Sequence, residues 1–153
     1  MLKLIYVRFF SIKAPYFRQL INLRRLIYLI QMADTFIDTE KKILASGIEM
    51  KYLSEEHIFR KGQKAEFVFF LKEGSLLFDW PSDKTKSRII NLPCFIGIEE
   101  AMDGKSYSCS MKTLVDCKFL VFERKYFLML MNEFEAATPY FLQKIEDFNI
   151  LSS

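Results

Sequence analysis

The chemistry this sequence offers is concentrated between Gly97 and Ser108. Gly97 follows an apolar strand end, Phe95-Ile96, and Glu99-Glu100-Ala101-Met102 can make one helical turn. Asp103-Gly104 breaks that turn, because glycine reaches positive φ without a Cβ clash. The free N–H groups and dipole at the start of such a helix form an anion cradle. Glu99 and Glu100 oppose that use. Acids in the first turn favour the dipole by about 0.3–1 kcal/mol each and repel an incoming phosphate. Lys105 is the nearby cation, and a lysine cannot reproduce the fork of an arginine. Ile98 brings no hydrogen-bond acceptor, whereas Ser106, Tyr107 and Ser108 bring hydroxyls. Gly97, Ile98, Glu99, Glu100, Lys105, Ser106, Tyr107 and Ser108 are therefore the candidate ligand pocket. It is expected either to hold an uncharged ligand near Ile98, Tyr107 and Ser108 or to be filled by side chains.

Other chemistry finds no support. No metal-ligand cluster is visible, and Gly104-Lys105-Ser106 imitates the end of a phosphate loop with its first glycine too far upstream. The single histidine, His57, lies in a strand and reads as a surface residue, which leaves no base for a catalytic triad. Glu99 and Glu100 are sequence neighbours, so they point apart on a helix and do not form an acid/base couple. No catalytic residue, metal or cofactor is expected, and the chain is not read as an enzyme. Cys94, Cys109 and Cys117 are odd in number and lack C-x-x-C spacing, which suits reduced thiols in a cytoplasmic setting.

These residues must be positioned by a chain of 153 residues, one domain's worth, rich in aromatics with 16 Phe and 7 Tyr. Charge is split. Residues 1–33 carry Lys3, Arg8, Lys13, Arg18, Arg24 and Arg25 and no acid, while the remainder has sixteen basic residues against nineteen acidic ones. The main body thus offers no polyanion footprint. The first ten residues are apolar, but Arg8 and Lys13 interrupt them and no cleavage site follows, so no signal peptide is expected.

Residues 15–46 read as two helices. Pro15 fits a first helical position, and Asp34 or Thr35 fits the cap of a second helix that stops at Ser46-Gly47. Apolar residues at helical spacing mark a core face, so a pair packed on the main domain is expected. Contact of the basic segment 1–33 with a membrane surface or an acidic partner is the alternative. From Ile48 the pattern becomes short strands, with a hairpin expected at Lys72-Glu73-Gly74-Ser75, a polar loop from Pro81 to Ser87 and a strand from Tyr107 to Val115. Six to eight such strands suggest a barrel or roll. Two helices close the chain, one carrying Tyr126, Phe127, Leu130 and Phe134 on a stripe, the other starting at Thr138-Pro139 with Tyr140, Phe141, Ile145 and Phe148.

Ile58-Phe59-Arg60-Lys61-Gly62, then Val68-Phe69-Phe70-Leu71 leading to Gly74, then Gly97 to Gly104, resemble the cyclic nucleotide-binding domain superfamily. Its members include catabolite activator and fumarate–nitrate regulator proteins. The resemblance covers roughly residues 37–150, after a basic helical segment 1–36. It implies a mainly β fold, a jelly-roll-like β-roll with a helical N-terminus and two C-terminal helices. It also implies a regulatory, sensory or interaction role. In nucleotide-binding members the cassette glycine precedes a glutamate for the ribose hydroxyl, a place held here by Ile98. An arginine beyond the second glycine pairs with the phosphate, and that place is Tyr107. Cyclic nucleotide binding in the usual way is therefore not expected; a genuine cAMP or cGMP receptor relying on Lys105 and backbone N–H groups is the alternative. Expected partners are an uncharged small ligand or a protein, with a homodimer through the last helix as a further option. With no helix-turn-helix after that helix, direct DNA binding is not expected.

Overall fold

The computed structural model describes the backbone of residues 2–79, 87–134 and 136–152, and the side chains among them between residues 23 and 149. The chain divides into two compact units, Met1–Asp38 and Thr39–Ser153. Helix α1 spans Leu2–Ala45 without a break. The second helix expected to start at Asp34 or Thr35 is therefore absent as a separate element. Thr35 does not cap: its hydroxyl donates to the Gln31 carbonyl at 2.8 Å, one turn back, so the side chain is satisfied inside a continuing helix. Pro15 likewise lies within the helix, not at its start. In the first unit, Leu23, Leu26, Ile27, Tyr28, Leu29 and Ile30 are all exposed. No helix among the described residues is long and apolar enough to cross a membrane.

The second unit is a β-roll of eight strands among the described residues. In chain order they are β1 (Ile48–Tyr52), β2 (His57–Phe59), β3 (Phe67–Glu73), β4 (Leu76–Asp79), β5 (Ser87–Ile90), β6 (Cys94–Ile96), β7 (Ser110–Thr113) and β8 (Cys117–Glu123). Two antiparallel four-stranded sheets form, ordered β1-β8-β3-β6 and β2-β7-β4-β5. Short helix α2 (Ile98–Asp103) links β6 towards β7, and α3 (Arg124–Glu133) and α4 (Ala137–Ser152) follow β8. The fold class expected from the resemblance is the one observed.

The sequences of β3 and β8 explain the layering. Phe69, Leu71, Phe119 and Val121 join Phe59, Leu76, Phe78 and Met111 of the other sheet in the roll interior. The alternate residues belong to a second apolar layer, where Phe95 meets Phe141 at 5.3 Å between ring centroids and Phe127 meets Phe141 at 4.6 Å. A sheet covered on both faces needs apolar residues at every position, which is why both strands read as continuous runs and not as alternation. On α3 the buried stripe is Phe127 and Leu130, whereas Tyr126 is exposed.

The hairpin expected at Lys72–Ser75 does not form. β3 pairs with β6 and β8, and β4 pairs with β5 and β7, so Gly74 carries the chain from one sheet to the other. Gly74 has φ +122°, and a Cβ there would overlap Cys117 Sγ and lie 3.0 Å from the Cys117 Cα. The tight approach of backbone to backbone makes this a corner of the roll. Of the polar loop expected from Pro81 to Ser87, all but Ser87 lies outside the described residues, and Ser87 begins β5. Gly74→Ala is expected to lower stability by about 2–3 kcal/mol through strained backbone and overpacking; urea unfolding of the two proteins measures it.

Candidate functional site

Helix α2 is fixed at both ends by glycine. Gly97, at φ +81°, precedes it and Gly104, at φ +66°, follows it. The Lys105 N–H donates to the Glu100 carbonyl at 2.9 Å and the Gly104 N–H to the Ala101 carbonyl at 3.4 Å, the paired bonds of a Schellman ending. Gly97 answers to a second constraint: a Cβ there would sit 3.0 Å from the Tyr107 ring and 3.4 Å from the Phe67 carbonyl oxygen.

Tyr107 therefore occupies the ground directly beside the cassette glycine. Its ring stacks on Phe59, with centroids 3.8 Å apart and planes 11° from parallel. Its hydroxyl donates to the Phe67 carbonyl at 2.7 Å, and the residue is 3% exposed. Burial pushes the phenol well above its ordinary value. The strand expected from Tyr107 starts only at Ser110. Tyr107 pairs its backbone elsewhere: its N–H donates to the Gln63 carbonyl and its carbonyl accepts from the Gly62 N–H, both at 2.9 Å.

A cavity of about 180 Å³ opens beside α2. Gly97, Ile98, Glu99, Glu100, Tyr107 and Ser108 line it, with Phe59, Phe78, Phe95, Ile96 and Cys109 from the roll and Ile145, Phe148 and Asn149 from α4. Six of the eight candidate residues thus come together. Lys105 and Ser106 do not: Lys105 pairs with Asp103 at 2.5 Å on the surface, and Ser106 forms an isolated bridge with Lys64. Ile98 is buried, and Glu100 Oε1 accepts a hydrogen bond from the Ser108 hydroxyl at 3.3 Å. Phe148, which also meets Phe78 at 5.6 Å, and the fully buried Phe141 show that α4 uses these residues for packing within the chain.

The residue that sequence reasoning missed is Arg124. From the first turn of α3 its Nε donates to the Ala101 carbonyl at 2.7 Å, and its backbone N–H donates to the Glu66 carbonyl at 2.7 Å. A guanidinium at a helix start is unfavourable for that helix's dipole, which was the available signal that it serves another element. Here it serves the negative end of α2.

The three cysteines are free and buried. Burial raises the Cys94 thiol from 9.0 to about 12 and Cys109 to about 11. No group of three or more His, Cys, Asp or Glu among the described residues could hold a metal ion.

Residues 49–134 match the family model described as the cyclic nucleotide-binding domain. No curated protein sequence matches the chain significantly. Among solved structures, the chain is similar to the c-di-GMP responsive global regulator CLP of Xanthomonas campestris, at 15% identity and a TM-score of 0.63, covering 76% of this chain and 58% of that one. It is also similar to the Thermus thermophilus catabolite activator protein, at 15% identity and TM-score 0.60, covering 74% and 56%. The N-terminal domain of a transcriptional regulator from Streptomyces coelicolor A3(2) matches at 14% identity and TM-score 0.59, covering 72% and 78%. The chain therefore spans somewhat over half the length of the first two relatives, and at these identities the likeness is one of fold.

Two outcomes are expected from this geometry. Tyr107→Phe removes the bond to the Phe67 carbonyl and is expected to cost about 0.5–1.5 kcal/mol, read by chemical denaturation; unchanged stability would show the hydroxyl to be idle. Thiols held protonated in the fold but ionised in the unfolded chain make stability full below about pH 9 and lower as pH climbs towards the folded values. Unfolding followed through this alkaline range reads the slope, and Cys94→Ala is expected to flatten it.

Proposed function

Since the chain belongs to the cyclic nucleotide-binding domain family, we propose that its β-roll is a regulatory sensor or interaction module whose cassette does not hold a cyclic nucleotide in the family's way. The observation that carries this is the placement of Tyr107. It stands where the resemblance puts the phosphate-binding arginine, and it is committed to Phe59, Gly97 and the Phe67 carbonyl. Among the described residues no lysine or arginine lines the cavity, and two glutamates do. Each charge-assisted hydrogen bond is worth about 1.5–3 kcal/mol and an arginine–phosphate fork makes two, so their loss removes several powers of ten in affinity. The glutamate for the ribose hydroxyl is replaced by the buried Ile98.

Regulation through this site has a mechanical basis. Ile145, Phe148 and Asn149 bring α4 to the cavity wall, so whatever occupies the cavity also bears on that helix. The effector is then a small ligand or a protein partner reading the position of α4, and the three buried free thiols support a reducing, cytoplasmic setting. Calorimetry with cAMP and cGMP tests the proposal. No binding is expected at concentrations on the order of 100 μM, well above the affinity that an arginine–phosphate pair supports. Micromolar binding abolished by Lys105→Ala would establish the receptor reading instead.

A second reading concerns the N-terminal segment. Leu23, Leu26, Ile27, Leu29 and Ile30 are exposed beside Arg24 and Arg25, and residues 1–33 carry no acid. Apolar surface with a uniform positive charge complements an anionic lipid surface, at about 1 kcal/mol per basic residue near it. Co-sedimentation with vesicles containing phosphatidylserine is expected for the full chain and not for a chain lacking residues 1–33. Equal behaviour of the two would remove this reading.

A further inference from the structure

We propose that α1 is a self-association element on which a second copy of this chain docks its own α1, running in the opposite direction. The inference goes beyond the cassette reading and does not depend on it. Among the described residues the first unit holds α1 alone. A lone helix cannot bury its own apolar side chains, yet six of the eight residues from Leu23 to Ile30 are apolar and all six are exposed. An apolar surface of that extent marks an interaction face. The spacing points to another helix as the partner. Tyr16, Leu20, Leu23, Ile27 and Ile30 recur at alternating intervals of four and three, and Ile37 continues the series after Asp34. That is the seam of a two-helix coiled coil, held for about three heptads. Leu23, Ile27, Ile30, Asp34 and Ile37 are all exposed, so the described part of the seam is uncovered. Arg25, Tyr28 and Leu29 fall on the other side of the helix, and the pairing leaves them to a lipid surface.

Charge selects a second α1 as the partner and sets its direction. Residues 1–33 carry six bases and no acid, and Asp34 is the first acid of the chain. Parallel copies would lay the basic segments side by side and stack Asp34 on Asp34, with the two helix dipoles aligned. Antiparallel copies in seam register set Ile27 against Ile30 and Leu23 against Asp34, each pairing occurring twice. Asp34 of one copy then lies beside Arg24 of the other, the residue after Leu23, so the acid within the apolar seam meets a base. An anionic lipid surface would repel Asp34 and has no use for a four-three period.

The test is sedimentation equilibrium of the full chain over about 1–100 μM, where a dimer is expected. Ile27→Ala/Ile30→Ala is expected to weaken it at least about tenfold, and the off-seam pair Tyr28→Ala/Leu29→Ala less than about twofold. Arg24→Glu and Asp34→Lys are each expected to weaken it about threefold or more, and the two together to regain most of the loss. These positions are too far apart along the helix to pair within one copy, so the regain reads a contact between copies. The unfolding transition of the β-roll checks that each variant is folded. A monomer throughout the range, equal losses from the seam and off-seam pairs, or a dimer indifferent to every α1 variant would overturn the inference. No regain in the charge-swapped chain would overturn the antiparallel direction. A monomer that co-sediments with phosphatidylserine vesicles would give the seam to the lipid surface instead. None of these results bears on cyclic nucleotide binding, which calorimetry tests separately.

Discussion

The contact between Tyr107 and Gly97 is the constraint on which the site depends. A ring placed 3.0 Å from where a Cβ would stand leaves that position to glycine, and the same glycine must take φ +81° to open α2. The ring is in turn fixed from two other sides, by the face of Phe59 and by the Phe67 carbonyl. Four segments thus meet at one side chain: β2, the start of β3, the cassette, and the approach to β7. A buried phenol has to keep a hydrogen-bond partner, so the Phe67 carbonyl also fixes how far the ring can slide.

Helix α2 has side chains of the chain itself at both ends. Its first turn carries Glu99 and Glu100, which favour the positive end of its dipole, and Arg124 meets the carbonyl end at Ala101. The same arrangement couples the cassette to α3, because Arg124 is also bonded through its backbone to Glu66 at the entry to β3. What remains open is the cavity, and its walls carry acids and rings.

Several elements were legible because their physics is local. Gly97 and Gly104 bracket a helical turn whichever fold surrounds it, and alternation or apolar runs mark where strands lie to within about three residues. The misreadings share a different cause. Gly74 has the composition of a hairpin turn, but whether two strands pair or part depends on β6, β7 and β8, which are distant in sequence. Thr35 has the composition of a cap, but the residues on both sides are good enough helix formers that its hydroxyl bonds back to Gln31 and the helix runs on. Tyr107 fits a strand pattern, yet its backbone is claimed by Gln63 and Gly62.

The resemblance sets Ile98 and Tyr107 at the places of a glutamate and an arginine in its nucleotide-binding members. Residue types and spacing alone determined that short strands flank a glycine-bracketed helical turn and that acids head that turn. Those are facts of composition at fixed positions, and no folding changes them. Only the tertiary structure decided that Tyr107 turns inward onto Phe59, that Lys105 and Ser106 stay out of the cavity, and that Arg124 closes the far end of α2. Each of those outcomes is a competition for one partner among groups brought together from remote parts of the chain, and the winner is set by distances that a sequence does not contain.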